Sequence, residues 1–444
     1  MKPYSLQQLA EAMSGTLPKG GGELVISTGV STDTRKIAKG ALFVALKGDR
    51  FDAHNFLEQA IASGAGALAI QDVTSLPDGV PAILVNDTQQ ALQDLAKWYR
   101  NELGIPVIAI SGSNGKTSTK DFTRSVLSQR FRVNATLGNL NNHIGLPLTV
   151  LATKADDEVG VFEMGMNHAG ELAPLCEIAR PDISIITNVG TAHIEFMGSR
   201  EAIAHEKGTL ARALSEKGTL LIPSDCEYLD DYRATTAGTV IAVGEGAIRA
   251  ENVIAGVAGS TFDLVVDNLG RITASISIPG RHMVSNALLA AGAGVVLGMT
   301  LEEIAAGLKN SSLTGGRLRQ FESNGITVLD DTYNANPESI IAALQTLADQ
   351  PTQGVRTAVL GKMAEQGEHA GPAYVRIGAF AGELGLRLVS VGAEAVGMNA
   401  PHHFETVEEA SGWLSENTHA GDLVLFKGSR AAAIERVMNL AYPE

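Results

Sequence analysis

The chain is poor in features that would each have fixed its class. It has two cysteines in 444 residues, Cys176 and Cys226. No metal or redox spacing joins them, so they read as buried thiols in a reducing compartment, with a disulfide as the alternative. It has no excess of positive charge. A net charge of −15 excludes the broad basic face of a general nucleic-acid binder. An anionic ligand must then be held by locally placed basic groups and backbone N–H donors. No apolar run approaches the roughly 18 residues that a membrane span needs. No basic and apolar segment opens the chain as a signal peptide would. The expectation is a soluble cytoplasmic protein with no nucleic-acid partner and no membrane span. A G-x-G-x-x-G fingerprint is missing, as are an Asn-Lys-x-Asp guanine motif, a fixed-period repeat and a low-complexity tract. Glycine is plentiful: 48 residues, spread so that they mark turns rather than a flexible linker.

The most informative stretch is 105–130. It opens with the apolar run IPVIAI, turns through Ser111-Gly112-Ser113-Asn114-Gly115, and continues Lys116-Thr117-Ser118-Thr119-Lys120 into a helical pattern. Strand, glycine loop and helix in that order form a phosphate-binding loop. Gly112 and Gly115 allow a tight turn that presents backbone N–H groups. The following helix N-terminus attracts phosphate oxygens. Lys116 adds a full charge near the terminal phosphates, and Thr117 a hydroxyl suited to Mg²⁺. The usual G-x-x-x-x-G-K-[ST] pattern wants glycine at position 110, where Ile110 stands. Phosphate binding alone names no reaction.

The length predicts two or three domains, and the pattern of elements divides it into three. Residues 1–86 read as a small α/β domain, with a Ser-capped helix near 5–13, a polar turn at 30–35 and a strand at 41–46. An amphipathic helix over 87–103 leads into a central domain, 87–312. Strands there are predicted at 159–164, 183–187, 218–222 and 240–243, alternating with helices, which favours parallel βαβ units. From 260 to 278 apolar residues alternate with polar ones around Asn268-Leu269-Gly270, the pattern of an antiparallel hairpin. Helices follow near 283–298 and 301–309. Residues 313–444 alternate again, with strands predicted at 326–330, 357–360, 388–391 and 423–426. The fold class is therefore α/β in three domains: a small substrate domain, a central P-loop domain with parallel sheet and antiparallel hairpin, and a Rossmann-like C-terminal domain.

Four groups fit a phosphoryl-transfer site. Glu163 leaves a strand beside the loop strand, the usual place for a Mg²⁺ ligand; a solvated strand-end carboxylate is the plainer reading. His193 ends a buried-type strand and its polar loop, where it serves a second metal ion, a phosphate or structure alone. The run 138–147, with Asn139, Asn141 and Asn142, offers neutral donors and acceptors that suit a sugar or a peptide, or simply a turn. Arg317, the run 330–337 and the run 427–430 complete the set. The last two leave predicted strands and enter predicted helices, where ligands of α/β sheets bind. Arg430 fits a carboxylate and Arg317 a nucleotide phosphate.

Together these residues resemble the Mur ligase family over nearly the whole chain. The carriers of the resemblance are SGSNGKT at 111–117, STDTR at 31–35, FVALKG at 43–48, GNLNN at 138–142, DTYNANP at 331–337 and KGSR at 427–430. The shifted glycine is that family's own form of the loop. The marks are most similar to the branch that adds D-alanyl-D-alanine to UDP-N-acetylmuramoyl-tripeptide. The resemblance implies an ADP-forming amide ligase of peptidoglycan precursor synthesis that uses ATP and Mg²⁺ and acts as a monomer. It implies that Gly112, Ser113, Asn114, Gly115, Lys116, Thr117 and Ser118 hold the phosphates. Asn286 would contact adenine, Asp331 ribose and Arg317 phosphate. Thr117 and Glu163 would manage Mg²⁺, and His193 a second ion. Ser31, Arg35, Asn139, Asn142, Lys427 and Arg430 would meet the substrates. Lys116, His193 and Lys207 would be catalytic, Lys207 as the lysine that several members carbamylate. Three positions depart from the family: Ala53 for Gly, Lys362 for Asp and Thr209 for Glu. A folylpolyglutamate synthase-like ligase and a non-ligase nucleotide switch remain the alternatives.

Overall fold

The computed structural model describes residues 1–256 and 258–443. Three sheet systems follow one another along the chain. In the first, a four-stranded parallel sheet runs in the order Val30–Ser31, Leu42–Val44, Ala67–Ile70, Ala82–Leu84. A short antiparallel pair, Tyr4–Ser5 with Val25–Ile26, sits beside it. The helix Leu6–Ala12 starts where Ser5 and Gln8 form a capping box, which satisfies two orphan N–H groups reciprocally. The polar turn expected at 30–35 begins instead as a strand, Val30–Ser31, because its backbone pairs with Leu42 and Phe43.

The helix Thr88–Leu103 joins this part to the next. Asp87 caps it by accepting from Gln89 and Gln90 N–H, and Gly104 ends it in the left-handed conformation. Its buried face carries polar groups with specific work. The Tyr99 hydroxyl donates to the Thr153 carbonyl at 2.7 Å, and Arg100 donates to the Ala179 carbonyl at 2.7 Å and to Asp182 at 3.1 Å. These bonds fix the helix to the central sheet, since leaving such buried donors unpaired would cost about 1–3 kcal/mol each.

Among the described residues the central sheet has nine strands. Its parallel part runs Val133–Ala135, Val159–Glu163, Val107–Ser111, Ile183–Ile186, Thr219–Pro223, Thr239–Gly244. These strands are short, continuous apolar runs because helices cover both faces. The expected hairpin is present as Gly259–Val266 with Gly270–Ile276. A further strand, Ile248–Gly256, pairs antiparallel with the first of these. Its register shifts between Glu251 and Ile254, which breaks the alternation that would have announced it.

The C-terminal sheet has the order Arg319–Ser323, Ile326–Asp331, Leu423–Lys427, Arg356–Leu360, Arg387–Val391, His402–Phe404, parallel except at the first strand. Apolar packing is continuous from the central domain into this one: Phe122, Val126 and Leu289 belong to the same core as Leu329, Leu360 and Leu425. Among the described residues, no helix is long and apolar enough to cross a membrane.

Candidate active site

Strand order sets where the site lies. Val107–Ser111 is the strand from which the chain first moves to one side, to Val133–Ala135 and Val159–Glu163, and then to the other, to Ile183–Ile186. Ligands of open α/β sheets bind at such a switch point, outside the carboxyl ends of the strands. Here those ends face the carboxyl ends of Ile326–Asp331 and Leu423–Lys427 across a cleft of about 580 Å³.

The glycine loop forms the floor of the cleft. A Cβ on Gly112 would stand 1.9 Å from Thr187 Oγ1, and Gly115 has φ 77° with Asn286 Oδ1 only 2.6 Å from where its Cβ would be. Only glycine fits either position. The loop is fixed by its neighbours: Ser113 N–H donates to the Asn188 carbonyl at 3.1 Å, Asn114 N–H to Asn188 Oδ1 at 2.9 Å, and Gly190 N–H to Ser113 Oγ at 2.8 Å. The helix Lys116–Leu127 then begins, and its first residues, Lys116 to Ser118, whose N–H groups have no helical acceptor, line the cleft. Lys116 Nζ donates to the Gly112 carbonyl at 2.7 Å. Burial holds its ammonium below the ordinary lysine value; Glu163 opposes that shift and Arg317 reinforces it.

Thr117 is the centre of a polar chain. Its hydroxyl donates to Glu163 Oε2 at 2.8 Å and accepts from Arg317 Nη2 at 2.9 Å. The other Glu163 oxygen accepts from Asn141 Nδ2 at 2.8 Å. Arg317 lies over the Tyr333 ring, 4.1 Å from its centroid, and its buried Nε has no partner among the described residues. A buried guanidinium N–H without an acceptor fits a site made for an anion. The hard oxygens of Glu163 and Thr117 suit Mg²⁺, which takes one or two carboxylate-type ligands and completes its shell with water and phosphate. Among the described residues, no group of three or more His, Cys, Asp or Glu gathers as a metal cage.

The C-terminal domain closes the cleft from above through side chains. Asn336, the cap of the helix Pro337–Asp349, donates from Nδ2 to Asn114 Oδ1 at 2.7 Å. Glu338 accepts from Thr191 N–H at 3.1 Å and from its hydroxyl at 2.9 Å. Glu365 Oε2 lies 2.5 Å from His193 Nδ1, and His193 itself has φ 66°, a strained backbone for a non-glycine residue of the kind that gathers at functional sites. Asp331 pairs with Lys427 at 2.6 Å, and Lys427 also donates to the Asn334 carbonyl at 2.9 Å. Burial raises the Asp331 carboxyl above the ordinary value against the opposing pull of Lys427.

The fold brings most of the expected residues together. Ser113 to Ser118, Asn139, Asn142, Glu163, His193, Asn286, Arg317, Asp331 and Lys427 all line the one cleft. Gly112 lies just beneath it, shaping the loop. Ser31 and Arg35 stand apart in the first domain; Ser31 bonds within its own turn and Arg35 pairs with Asp33 while remaining largely exposed. Arg430 is also exposed and pairs with Glu435, so neither arginine is aimed into the cleft. Arg430 opens a short 3-10 turn rather than the expected helix, which starts later, at Glu435. Lys207 is not a solvated helix lysine: it is 1% exposed, and burial, then the charge of Lys116, push its ammonium well below the ordinary value. Of the departures, Lys362 pairs with Glu394 at 2.9 Å.

Sequence reasoning missed Glu338 and Glu365. Glu338 sits in the first turn of a helix, where an acid is ordinary capping chemistry. Glu365 follows a strand by several residues, and no local pattern marks it.

Three family models match the chain: a Mur ligase family catalytic domain over 27–100, a Mur ligase middle domain over 110–294 and a Mur ligase glutamate ligase domain over 316–430. A UDP-N-acetylmuramoyl-tripeptide–D-alanyl-D-alanine ligase from Bacillus subtilis is 37% identical over 98% of this chain and 97% of its own. The crystal structure of MurF from Acinetobacter baumannii superimposes with a TM-score of 0.92 at 31% identity, covering 99% of both chains. That of MurF ligase from Thermotoga maritima in complex with ADP gives 0.83 at 27% identity, over 93% of this chain and 96% of that one.

Proposed function

The chain belongs to the Mur ligase family, and we infer that it is the ADP-forming ligase that adds D-alanyl-D-alanine to UDP-N-acetylmuramoyl-tripeptide in peptidoglycan precursor synthesis. The observation that carries this reading is the single cleft in which the glycine loop, Glu163 and the strand ends of the C-terminal domain converge. A relative that shares more than a third of its residues over nearly the full length carries that activity in its name, and neither alternative has such support.

A free carboxylate is a poor acyl donor, because its leaving group would be oxide. The tripeptide carboxylate therefore attacks the γ-phosphorus of ATP; the new O–P bond forms as the bond to the β-bridging oxygen breaks, and ADP leaves. The amine of D-alanyl-D-alanine, neutral at that moment, attacks the acyl carbon. The tetrahedral adduct gives up a nitrogen proton to the departing phosphate or to solvent, expels phosphate, and the amide remains. Lys116 and the first-turn N–H groups stabilise charge on the transferring phosphoryl group. Arg317, through its unpartnered Nε, takes a phosphate oxygen. Asn286 faces adenine. Asp331, held by Lys427, faces ribose. Asn139 and Asn142 hold the muramoyl peptide, and Ser31 and Arg35 the UDP end. Lys427 and Arg430 would meet the incoming dipeptide, Arg430 only once it turns from Glu435. The bonds from Asn336, Glu338 and Glu365 to the central domain keep water from the acyl phosphate.

Thr117 and Glu163 would hold Mg²⁺, with His193 at a second ion. The Mg²⁺ would supply charge neutralisation for the phosphoryl transfer. Burial, then the charge of Lys116, favours the neutral amine of Lys207, the form that reacts with carbon dioxide, and as a carbamate it would offer an anion to a metal. We assign 1–86 to the UDP-substrate domain, 87–312 to the ATP domain and 313–444 to the ligase domain. We read the enzyme as a monomer. ATP and a UDP-linked precursor as substrates support a cytoplasmic reaction.

Phosphate release is the test. It should require ATP, UDP-N-acetylmuramoyl-tripeptide and D-alanyl-D-alanine together, and comparing lysine and diaminopimelate tripeptides identifies the third residue. ATPase activity indifferent to both peptides would sink the reading in favour of a nucleotide switch.

A further inference from the structure

Beneath the glycine loop lies a buried polar network that the reaction as described does not use. Asp121, on the loop helix Lys116–Leu127, has a side chain 6% exposed and pairs at 2.7 Å with Lys120, itself 4% exposed. Its second oxygen turns away from that lysine. Asp121 Oδ2 accepts from the Thr314 N–H at 2.8 Å and from the Thr314 hydroxyl at 3.0 Å. Thr314 opens the segment that leads to Arg317 and into the C-terminal domain. Lys120 Nζ also donates to the Thr136 carbonyl at 3.1 Å, and the Thr136 hydroxyl accepts from Glu163 N–H at 2.9 Å. One set of hydrogen bonds thus ties the strand of Glu163, the loop helix and the linker.

The linker is held at its far end too. Tyr333 N–H donates to the Gly316 carbonyl at 3.1 Å. Gly316 has φ 71° and Leu318 has φ 54°, so Arg317 sits between two residues in left-handed backbone. For Leu318, whose side chain is buried, that conformation persists only because the surroundings impose it. A segment fixed at both ends, with its geometry imposed between them, sets where its arginine can reach.

We propose that Asp121 is a positioning residue: by clasping Thr314 to the loop helix, it sets the reach of Arg317 to Thr117 and to the ATP phosphates. The proposal rests on the reading that Arg317 meets those phosphates. Asp121 touches no substrate and acts only through the linker.

The test is a set of double-mutant cycles read by steady-state phosphate release in the full-length enzyme. Asp121→Asn keeps the shape and weakens the acceptor. Because it also leaves Lys120 without its counter-charge, Thr314→Val serves as a second variant; it removes only the hydroxyl bond and lies at the surface. Each is measured alone and with Arg317→Ala. Misplacing a positioned group by a fraction of an ångström costs on the order of tenfold in kcat/KM for ATP. We expect about that loss for Asp121→Asn and a smaller one for Thr314→Val, carried by KM for ATP while KM for D-alanyl-D-alanine stays constant. In the Arg317→Ala background both losses should vanish, since groups that act as a unit are not additive. Equal losses in both backgrounds, or a wild-type kcat/KM for both single variants, would overturn the proposal while the Arg317 reading stands. Normal ATP kinetics in Arg317→Ala alone would overturn that reading and this proposal with it.

Discussion

Arg317 and Thr117 are separated by 200 residues and meet at 2.9 Å. The arginine comes from the linker into the C-terminal domain, the threonine from the first turn of the loop helix, and the threonine hydroxyl in turn donates to Glu163. The Arg317–Thr117 bond, with that of Asn336 to Asn114, ties the glycine loop and its helix to the placement of the third domain. Arg317→Lys keeps the charge but loses the planar fork and the stacking on Tyr333. A loss of about 10²-fold in kcat/KM for ATP is expected, measured by phosphate release. Wild-type kinetics in this variant would mean that a point charge suffices.

Lys116→Ala should fold normally and lose about 10²–10³ in kcat, the usual cost of removing a preorganised charge donor. Thermal unfolding and circular dichroism check the fold, and turnover checks the role. Near-normal turnover would remove Lys116 from the mechanism.

Asn336 has two tasks that substitutions can separate. Its Oδ1 caps a helix by accepting from Ser339 N–H at 2.9 Å, and its Nδ2 bonds Asn114 across the cleft. Asn336→Ala should cost about 1 kcal/mol of stability through the lost cap and also lower activity. Asn336→Asp keeps the cap, loses the donor and sets a carboxylate against Asn114 Oδ1. Stability near wild type with kcat/KM for ATP down roughly tenfold is the expected outcome. Urea unfolding beside steady-state kinetics reads both; unchanged activity in Asn336→Asp would show that the cross-cleft bond is idle.

Much of the fold and of the cleft is legible in the sequence. The parallel strands announced themselves as short apolar runs between helical patterns, and the glycine loop at 111–117 announced a turn into a helix that lies at the cleft. The clustering of Asn139, Glu163, Asn286, Arg317 and Asp331 followed from the family resemblance, because ligands gather at strand ends. The strand Ile248–Gly256 was hidden by its register shift. Lys207 could not be told from a surface lysine, since helix periodicity does not report how deeply a face is covered. Glu338 and Glu365 act across a gap between domains, and no local spacing encodes a partner more than a hundred residues away. The Asp121–Thr314 bond escaped for the same reason.

A pH effect on stability follows from His282. Burial, then the charge of Lys427, lowers its pKa from the ordinary 6.5 to about 4. The unfolded chain therefore takes up a proton that the folded protein refuses. This stabilising contribution is complete above pH 6.5 and is lost progressively as the pH falls toward 4. Its size is on the order of 3 kcal/mol. Urea midpoints measured across that range should fall with acid in the wild type and fall less in His282→Gln. Parallel curves would contradict the assignment.

The central claim is that the glycine loop holds ATP while the tripeptide carboxylate takes the γ-phosphate. It is tested most directly by labelling that carboxylate with ¹⁸O and analysing the phosphate released with D-alanyl-D-alanine present. The account predicts one labelled oxygen transferred from peptide to phosphate in each turnover. Product formation with unlabelled phosphate would contradict it.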